Sequence, residues 1–505
     1  MPSSQKISLH VRQMRVIWRD TFVVEAPPPD FLAVSRQRLT EMPLTVADTL
    51  AEPVRSQPDA LRVIERVSRS VAGIGYGDLL RFQLAPFQMT NLRPTLARLR
   101  RSPGTLSVGH IREAAAQADV EGAWITVTPM LLLHRAGVGI VQYHATLDAA
   151  DPGLTPDEAV EVVRLGYNFQ LLNLPDSWRA MLPTELPHAK SVRVLEPDVE
   201  GHLAVFGLRD LSQYVVASRL SAPEKSRRRR KQTPVAVKTT RPTGSTTAIL
   251  LETNPQPSGD LRAFVAEHAV SLRGIGALDT YYRERADWIV ERELTDNLSA
   301  DREVGVYLLG NSELILYNDE LEPILEETRS RLGLPDVEHA ATYHYMHYGV
   351  LLEWVYLQEA ILRTYLQRLD ELAAAPAPRR RDMIGTLQGA LADLIQYQEN
   401  ITPFATRVEF LERARRYHKL DQLAERFERK QELILYYASE FHDYRDARAT
   451  QFLNWLAGIL TGAALAELIV TLAGITPQQT SLYLGITLGS ILLVLAALGA
   501  LLRFL

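Results

Sequence analysis

Two apolar runs near the end of this 505-residue chain limit what it can fold into. Residues 452–475 read FLNWLAGILTGAALAELIVTLAGI with Glu467 as the one charge, and residues 482–502 read LYLGITLGSILLVLAALGALL with none. Each exceeds the ~20 residues with which a helix crosses a hydrocarbon core of about 30 Å. The runs therefore predict two transmembrane helices. Arg445 and Arg448 precede the first, Arg503 follows the second, and the spacer TPQQTS is uncharged. By the positive-inside rule both termini then lie in the cytoplasm, and the chain is expected in the inner (plasma) membrane as a multi-pass protein with lipid as a partner.

Glu467 is the residue that points to a pore. A short carboxylate deep in a span needs a partner, a proton or water. On a helical projection it shares a face with Leu460, Ala464 and Thr471, so a symmetric assembly with that face inward would hold a ring of Glu467 above a narrow Leu460 level. The competing arrangement is a protonated Glu467 hydrogen-bonded inside the helix pair, and the sequence leaves both open. Gly458-x-x-x-Gly462 in the first run and Gly485-x-x-x-Gly489 in the second have the spacing at which transmembrane backbones approach closely.

Composition removes other classes. Without cysteine there is no thiol catalysis, no disulfide and no Cys-ligated zinc. A net charge of -5 gives no global sign of nucleic-acid binding, so nucleic acid is not an expected partner. The glycine-rich stretch VAGIGYGD at 71–78 resembles a potassium-channel filter, but the flanking segment LRVIERVSRS carries four charges. Each would cost about 2.5 to 3.5 kcal/mol at a bilayer centre, so the stretch reads as a turn between a helix and a strand.

The order of elements predicts an α+β cytosolic domain, then a long α-helical stalk, then the C-terminal hairpin of two transmembrane helices. Residues 1–220 hold the clearest alternating pair, 123–132 and 138–146, joined through His134-Arg135-Ala136-Gly137 as a hairpin. A helix over about 155–172 opens on Thr155-Pro156-Asp157-Glu158, a cap, a first-turn proline and first-turn acids. Residues 221–246 form a basic, Pro/Thr-rich linker in which Arg227, Arg228, Arg229, Arg230 and Lys231 could touch an anionic surface, the commoner alternative being a solvated, disordered loop. Residues 247–340 resume the domain, with runs 303–309 and 313–317 turned by Gly310-Asn311-Ser312. Residues 341–450 are helical: a helix over 348–375 precedes a 3,4-spaced seam through Leu420, Leu423, Phe427, Lys430, Ile434, Tyr437, Phe441, Tyr444 and Arg448 that runs into the first of the two spans of region 451–505.

This layout of cytosolic α/β domain, long stalk, two spans and a basic end resembles the CorA-type divalent-cation transporters. The resemblance implies a homo-oligomer, a pentamer in that family, with a pore lined by the first span and a divalent cation as the transported or bound ion. The family's Gly-Met-Asn signature is absent; Gly474-Ile475-Thr476-Pro477 stands in its place. Some CorA-like relatives are implied to be effectors opened by a small cytosolic ligand.

His344 and His347, spaced i,i+3, are candidate metal ligands, although Tyr343, Tyr345 and Tyr348 suggest an aromatic packing surface. No nucleophile-elbow, kinase or calcium-loop pattern occurs, so an enzyme is not expected. The sequence thus predicts a regulated cation channel or transporter, with a membrane-anchored sensor or binding scaffold as the alternative.

Overall fold

The computed structural model describes residues 8–24, 31–40, 79–91, 124–134, 137–167, 170–179, 194–199, 202–205, 207–212, 237–238, 245–299, 301–310, 312–332, 337–374 and 405–433, with 485–486, 488–490 and 492. The chain divides into two compact units, Met1–Gln367 with Leu387–Glu425, and Arg368–Thr386 with Arg426–Leu505.

The first unit is built on a twelve-stranded mixed sheet. In chain order the strands are β1 (His10–Val24), β2 (Leu79–Gln83), β3 (Phe87–Asn91), β4 (Ile125–His134), β5 (Val138–Asp148), β6 (Gln170–Asn173), β7 (Val194–Val199), β8 (His202–Val205), β9 (Val237–Lys238), β10 (Ser245–Asn254), β11 (Val304–Leu309) and β12 (Ser312–Tyr317). They lie in the order β11-β12-β10-β1-β5-β4-β3-β6-β8-β7, with β2 on β4 and β9 on β1. All pairs are antiparallel except β10 with β12, which need a crossover between them. The helices are α1 (Phe31–Thr40), α2 (Pro156–Val163), α3 (Asp176–Arg179), α4 (Leu208–Leu211), α5 (Leu261–Ala277), α6 (Asp287–Thr295), α7 (Leu321–Leu332), α8 (Val337–Ala374) and α9 (Ala405–Tyr417), and helix resumes over 420–433.

At β11 and β12 both faces of the sheet are covered, so that these strands are buried at every position. On one face Val16, Trp18, Ala248, Leu250, Leu314 and Leu316 join Val160 and Val163 of α2 and Leu272 and Ile275 of α5 in a single core. On the other, Ile17, Ile249 and Ile315 are buried, and Tyr356 of α8 lies over Arg19.

The hairpin read at 123–146 is β4–β5, and the turn at 310–312 joins β11 to β12 in the same sheet. Thr155 caps α2 with a complete capping box, but the helix stops at Val163 rather than about 172. Gly166 must sit against the Trp18 indole, where an added Cβ would come within 2.4 Å, and Gln170 already pairs in β6. Two residues of the basic linker, Val237 and Lys238, form β9, and its last two enter β10.

Two expectations are corrected. Among the described residues no helix is long and apolar enough to cross a membrane, so the C-terminal transmembrane hairpin of the expected fold class and the multi-pass inner-membrane location are not carried forward. The longest helix, α8, has the length but carries Glu338, Glu353, Glu359, Arg363, Arg368, Asp370 and Glu371. Such charges make a span costly, and residues 351–362 of α8 are instead buried within the protein. Run 452–475 lies outside the described residues, and the described positions of run 482–502 are helical, with Leu488 and Leu492 exposed. Of the seam, Leu420, Leu423 and Phe427 are buried and Lys430 pairs with Asp370 at 2.5 Å; Ile434 to Arg448 lie outside the described residues.

Candidate functional site

Polar side chains gather where the C-terminal half of β1 meets the starts of β10 and β12. Thr247 is opposite both Ile17 and Glu313 in register. Arg19, two residues along β1 from Ile17, therefore reaches Glu313 across Thr247. Its Nη1 lies 3.1 Å from Glu313 Oε2, with both side chains almost wholly buried. Arg19 also donates to Thr247 Oγ1, whose hydroxyl donates to Glu313. Burial pushes the Glu313 carboxyl above its ordinary value, and the Arg19 charge, the Thr247 bond and His418 only partly oppose it.

The cluster continues into the helices. The Tyr356 ring stands 5.5 Å from the Arg19 guanidinium and edge-on to His418. His418 Nδ1 lies 3.2 Å from Glu359 Oε2, and Arg363 pairs with the other oxygen at 2.7 Å. Burial pushes Glu359 up, but the bonds from His418 and Arg363 outweigh it and hold its carboxyl low. Glu359 is thus an ionised acceptor and His418 its donor.

On the opposite face a cleft of about 510 Å³ opens, lined by Tyr167, Arg273, Asp279, Arg285, Glu293 and Ser312 among others. Its geometry follows from how α5 ends. Leu278 adopts the left-handed conformation (φ 56°), and the Asp279 N–H returns to Gly274 O at 3.1 Å. A leucine there costs about 1–2 kcal/mol, and the turn brings Asp279 back to Arg273. Arg273 donates from Nε to Glu293 at 2.8 Å and from Nη1 to Asp279 at 2.9 Å. Arg285 donates from Nε to the same Asp279 oxygen at 2.7 Å. Burial pushes Asp279 up, yet the bonds from Arg285, Arg273 and the Tyr281 N–H bring it down to about 2. Across the cleft the β11–β12 turn presents Gly310 (φ 70°), with Ser312 Oγ donating to Leu309 O at 2.7 Å.

The Asp279 network makes a pH prediction. Because its folded value lies below the ordinary 3.8, its contribution is complete above that pH and lost as pH falls toward about 2. The difference corresponds to about 2 kcal/mol. Asp279→Asn should therefore be less stable than wild type by roughly that amount at pH 7, with the gap narrowing below pH 4 in urea unfolding; an unchanged gap would contradict the network.

Tyr167 separates this cleft from a cavity of about 170 Å³ walled by Trp18, Asp20, Tyr143, Gly166 and Leu208. Its hydroxyl bonds Thr246 Oγ1 at 2.6 Å, and burial pushes it up to about 12 despite that bond. Tyr143 bonds Ser212 at 2.8 Å and is raised further by the same cause.

Leu460, Ala464, Glu467, Thr471, Gly458 and Gly462 lie outside the described residues, as do Arg227 to Lys231 and the 71–78 turn. Gly485 and Gly489 are helical, with no described atom within 4 Å of a Cβ built on either. His344 and His347 fall on α8, and among the described residues no group of three His, Asp or Glu converges on a metal position. Tyr348 packs on Phe410, with its hydroxyl bonded to Ser299 and Asp301. The cluster that sequence reasoning missed did leave a trace: period-two alternation puts Arg19 on the face of Ile17, and Glu313 on that of Ile315 and Tyr317. A charge on a face of buried residues requires a buried partner. Compared with known proteins, the chain matches no family model, no curated protein and no solved structure.

Proposed function

We propose that the chain is a sensor or binding scaffold that takes a small anionic ligand in the cleft lined by Arg273 and Arg285. One observation carries this: both guanidiniums are held from behind by carboxylates through Nε and, for Arg273, Nη1, while among the described residues Arg273 Nη2 and both Nη atoms of Arg285 make no hydrogen bond. Forks oriented in this way suit a phosphate or carboxylate, which accepts two parallel N–H bonds. Asp279 and Glu293 balance the two positive charges and add acceptors for hydroxyl groups on the ligand. A volume of this order is typical of small-molecule sites. The Ser312 hydroxyl is engaged with Leu309 O.

The pore reading drew on residues 452–502, and it is not taken up. Isothermal titration with inorganic phosphate, pyrophosphate and a nucleoside monophosphate tests the binding reading. At least one should bind wild type, and Arg285→Ala should weaken it about ten- to a hundredfold, the value of one or two charge-assisted bonds. Arg285 is 47% exposed, so this variant should fold as wild type does by circular dichroism. Failure of all three anions to bind, or equal binding by Arg285→Ala, would rule the reading out.

A further inference from the structure

The cleft has one more anion donor, and the protein itself already occupies it. Gly310 belongs to the cleft wall, and a Cβ built on it would meet nothing within 4 Å. Its positive φ turns the backbone N–H outward, a conformation glycine adopts without strain. That N–H donates to the Tyr417 hydroxyl at the end of α9. Tyr417 is the last residue before a break. His418 and Lys419 form a turn in which Lys419 is left-handed (φ 55°), the His418 N–H returns to Ala414 O at 2.9 Å, and helix resumes at Leu420. A lysine with positive φ persists only where its surroundings hold it. Here the holding contacts are the buried His418–Glu359 pair on one side and the bond from Gly310, a residue of the cleft wall, to the Tyr417 hydroxyl on the other. The two adjacent residues thus tie α8 and the cleft to the same turn.

We infer that Tyr417 is an autoinhibitory pin: its hydroxyl occupies the Gly310 N–H that an anion in the cleft would use, and ligand entry displaces it and frees the 405–423 segment from the rim. This rests on the anion reading of the cleft. The chemistry is an exchange of acceptors, a neutral phenol oxygen for a phosphate oxygen on one backbone donor flanked by two guanidiniums. A charged acceptor makes the stronger bond to that N–H. Released from Gly310, Tyr417 no longer braces the strained Lys419 turn, and motion of α9 relative to α8 becomes the readout of occupancy. Ser312 on the cleft wall adjoins Glu313 in sequence, and His418 lies close enough to Glu313 to act on it electrostatically. The turn therefore contacts both layers that a signal would cross.

The test uses the full chain and the variant Tyr417→Phe, which keeps the ring and deletes only the acceptor. Hydrogen exchange is followed by mass spectrometry, and pyrophosphate affinity by titration. The pin predicts that Tyr417→Phe without ligand speeds exchange in peptides covering 306–312 and 405–423, that pyrophosphate speeds exchange over 405–423 in wild type, and that the variant binds pyrophosphate about three- to tenfold more tightly, the worth of one displaced hydrogen bond. Unchanged exchange over 405–423 in the unliganded variant overturns the pin whatever pyrophosphate does. Faster exchange with equal or weaker affinity overturns the competition, since the hydroxyl would then not be in the ligand's place. Faster exchange with no pyrophosphate bound by either protein instead removes the anion reading and the autoinhibition built on it, leaving Tyr417 a structural strut.

Discussion

Glu313→Leu should lower the stability of the sheet-bearing unit by about 3–5 kcal/mol, because it removes the carboxylate that lies 3.1 Å from the buried Arg19 guanidinium. Arginine does not discharge by losing a proton in a protein. Arg19→Met should cost less, on the order of 2 kcal/mol, since the buried acid left behind can take up a proton. The two variants therefore separate by pH as well as by size. Glu313 already has a folded value above its ordinary 4.5, so its contribution is fully present below that pH and is lost as pH rises through the folded value. Removing the Arg19 charge raises that value further. The gap between wild type and Arg19→Met should accordingly widen in urea unfolding as pH rises above the ordinary 4.5. Equal costs for the two variants, or a gap that closes as pH rises, would contradict a charged, desolvated pair.

That pair also shows how far the sequence could be read. The β4–β5 and β11–β12 hairpins were legible because alternation and turn residues lie within about twenty positions of one another. The α2 cap was legible because Thr155 and Glu158 are three residues apart. The central strand β1 was not. Its HVRQMRVIWRDTFVV carries Arg12, Arg15, Arg19 and Asp20, and nothing near them in sequence shows that Arg19 is buried against an acid 294 positions away. The parallel β10–β12 pair likewise depends on a crossover that no local pattern announces. The cleft was hidden for the same reason. Arg273, Asp279, Arg285 and Glu293 look like an ordinary charged surface until the left-handed Leu278 folds the chain back on α5. The C-terminal runs erred in the opposite direction: hydropathy over a window of one span length spoke clearly, and the described structure contains no helix of that kind.

Trp178→Ala should destabilise the protein by about 3–5 kcal/mol, from the far end of the sheet and by a different mechanism. Trp178 is fully buried on the short helix α3. A helix of one turn has almost no stability of its own, so the indole is what anchors it. The ring meets Phe87 edge-on at 5.6 Å, and Phe87 in turn meets Tyr143 at 6.1 Å. Its Nε1 donates to Ala85 O at 2.7 Å, so truncation opens a cavity and also removes that carbonyl's indole donor. Trp178→Phe separates the two losses. It keeps most of the ring, and its cost should fall to about 1–2 kcal/mol, chiefly the lost donor. The aromatic chain from Trp178 ends at Tyr143, in the small cavity behind Tyr167, and does not reach Arg273 or Arg285. Pyrophosphate affinity of the folded Trp178→Ala variant should therefore stay within about twofold of wild type, on the additivity expected of distant sites. A tenfold loss would show that the wall formed by Tyr167 is set by the packing at Trp178, and the cleft would then depend on the whole sheet rather than on the end of α5 and the β11–β12 turn.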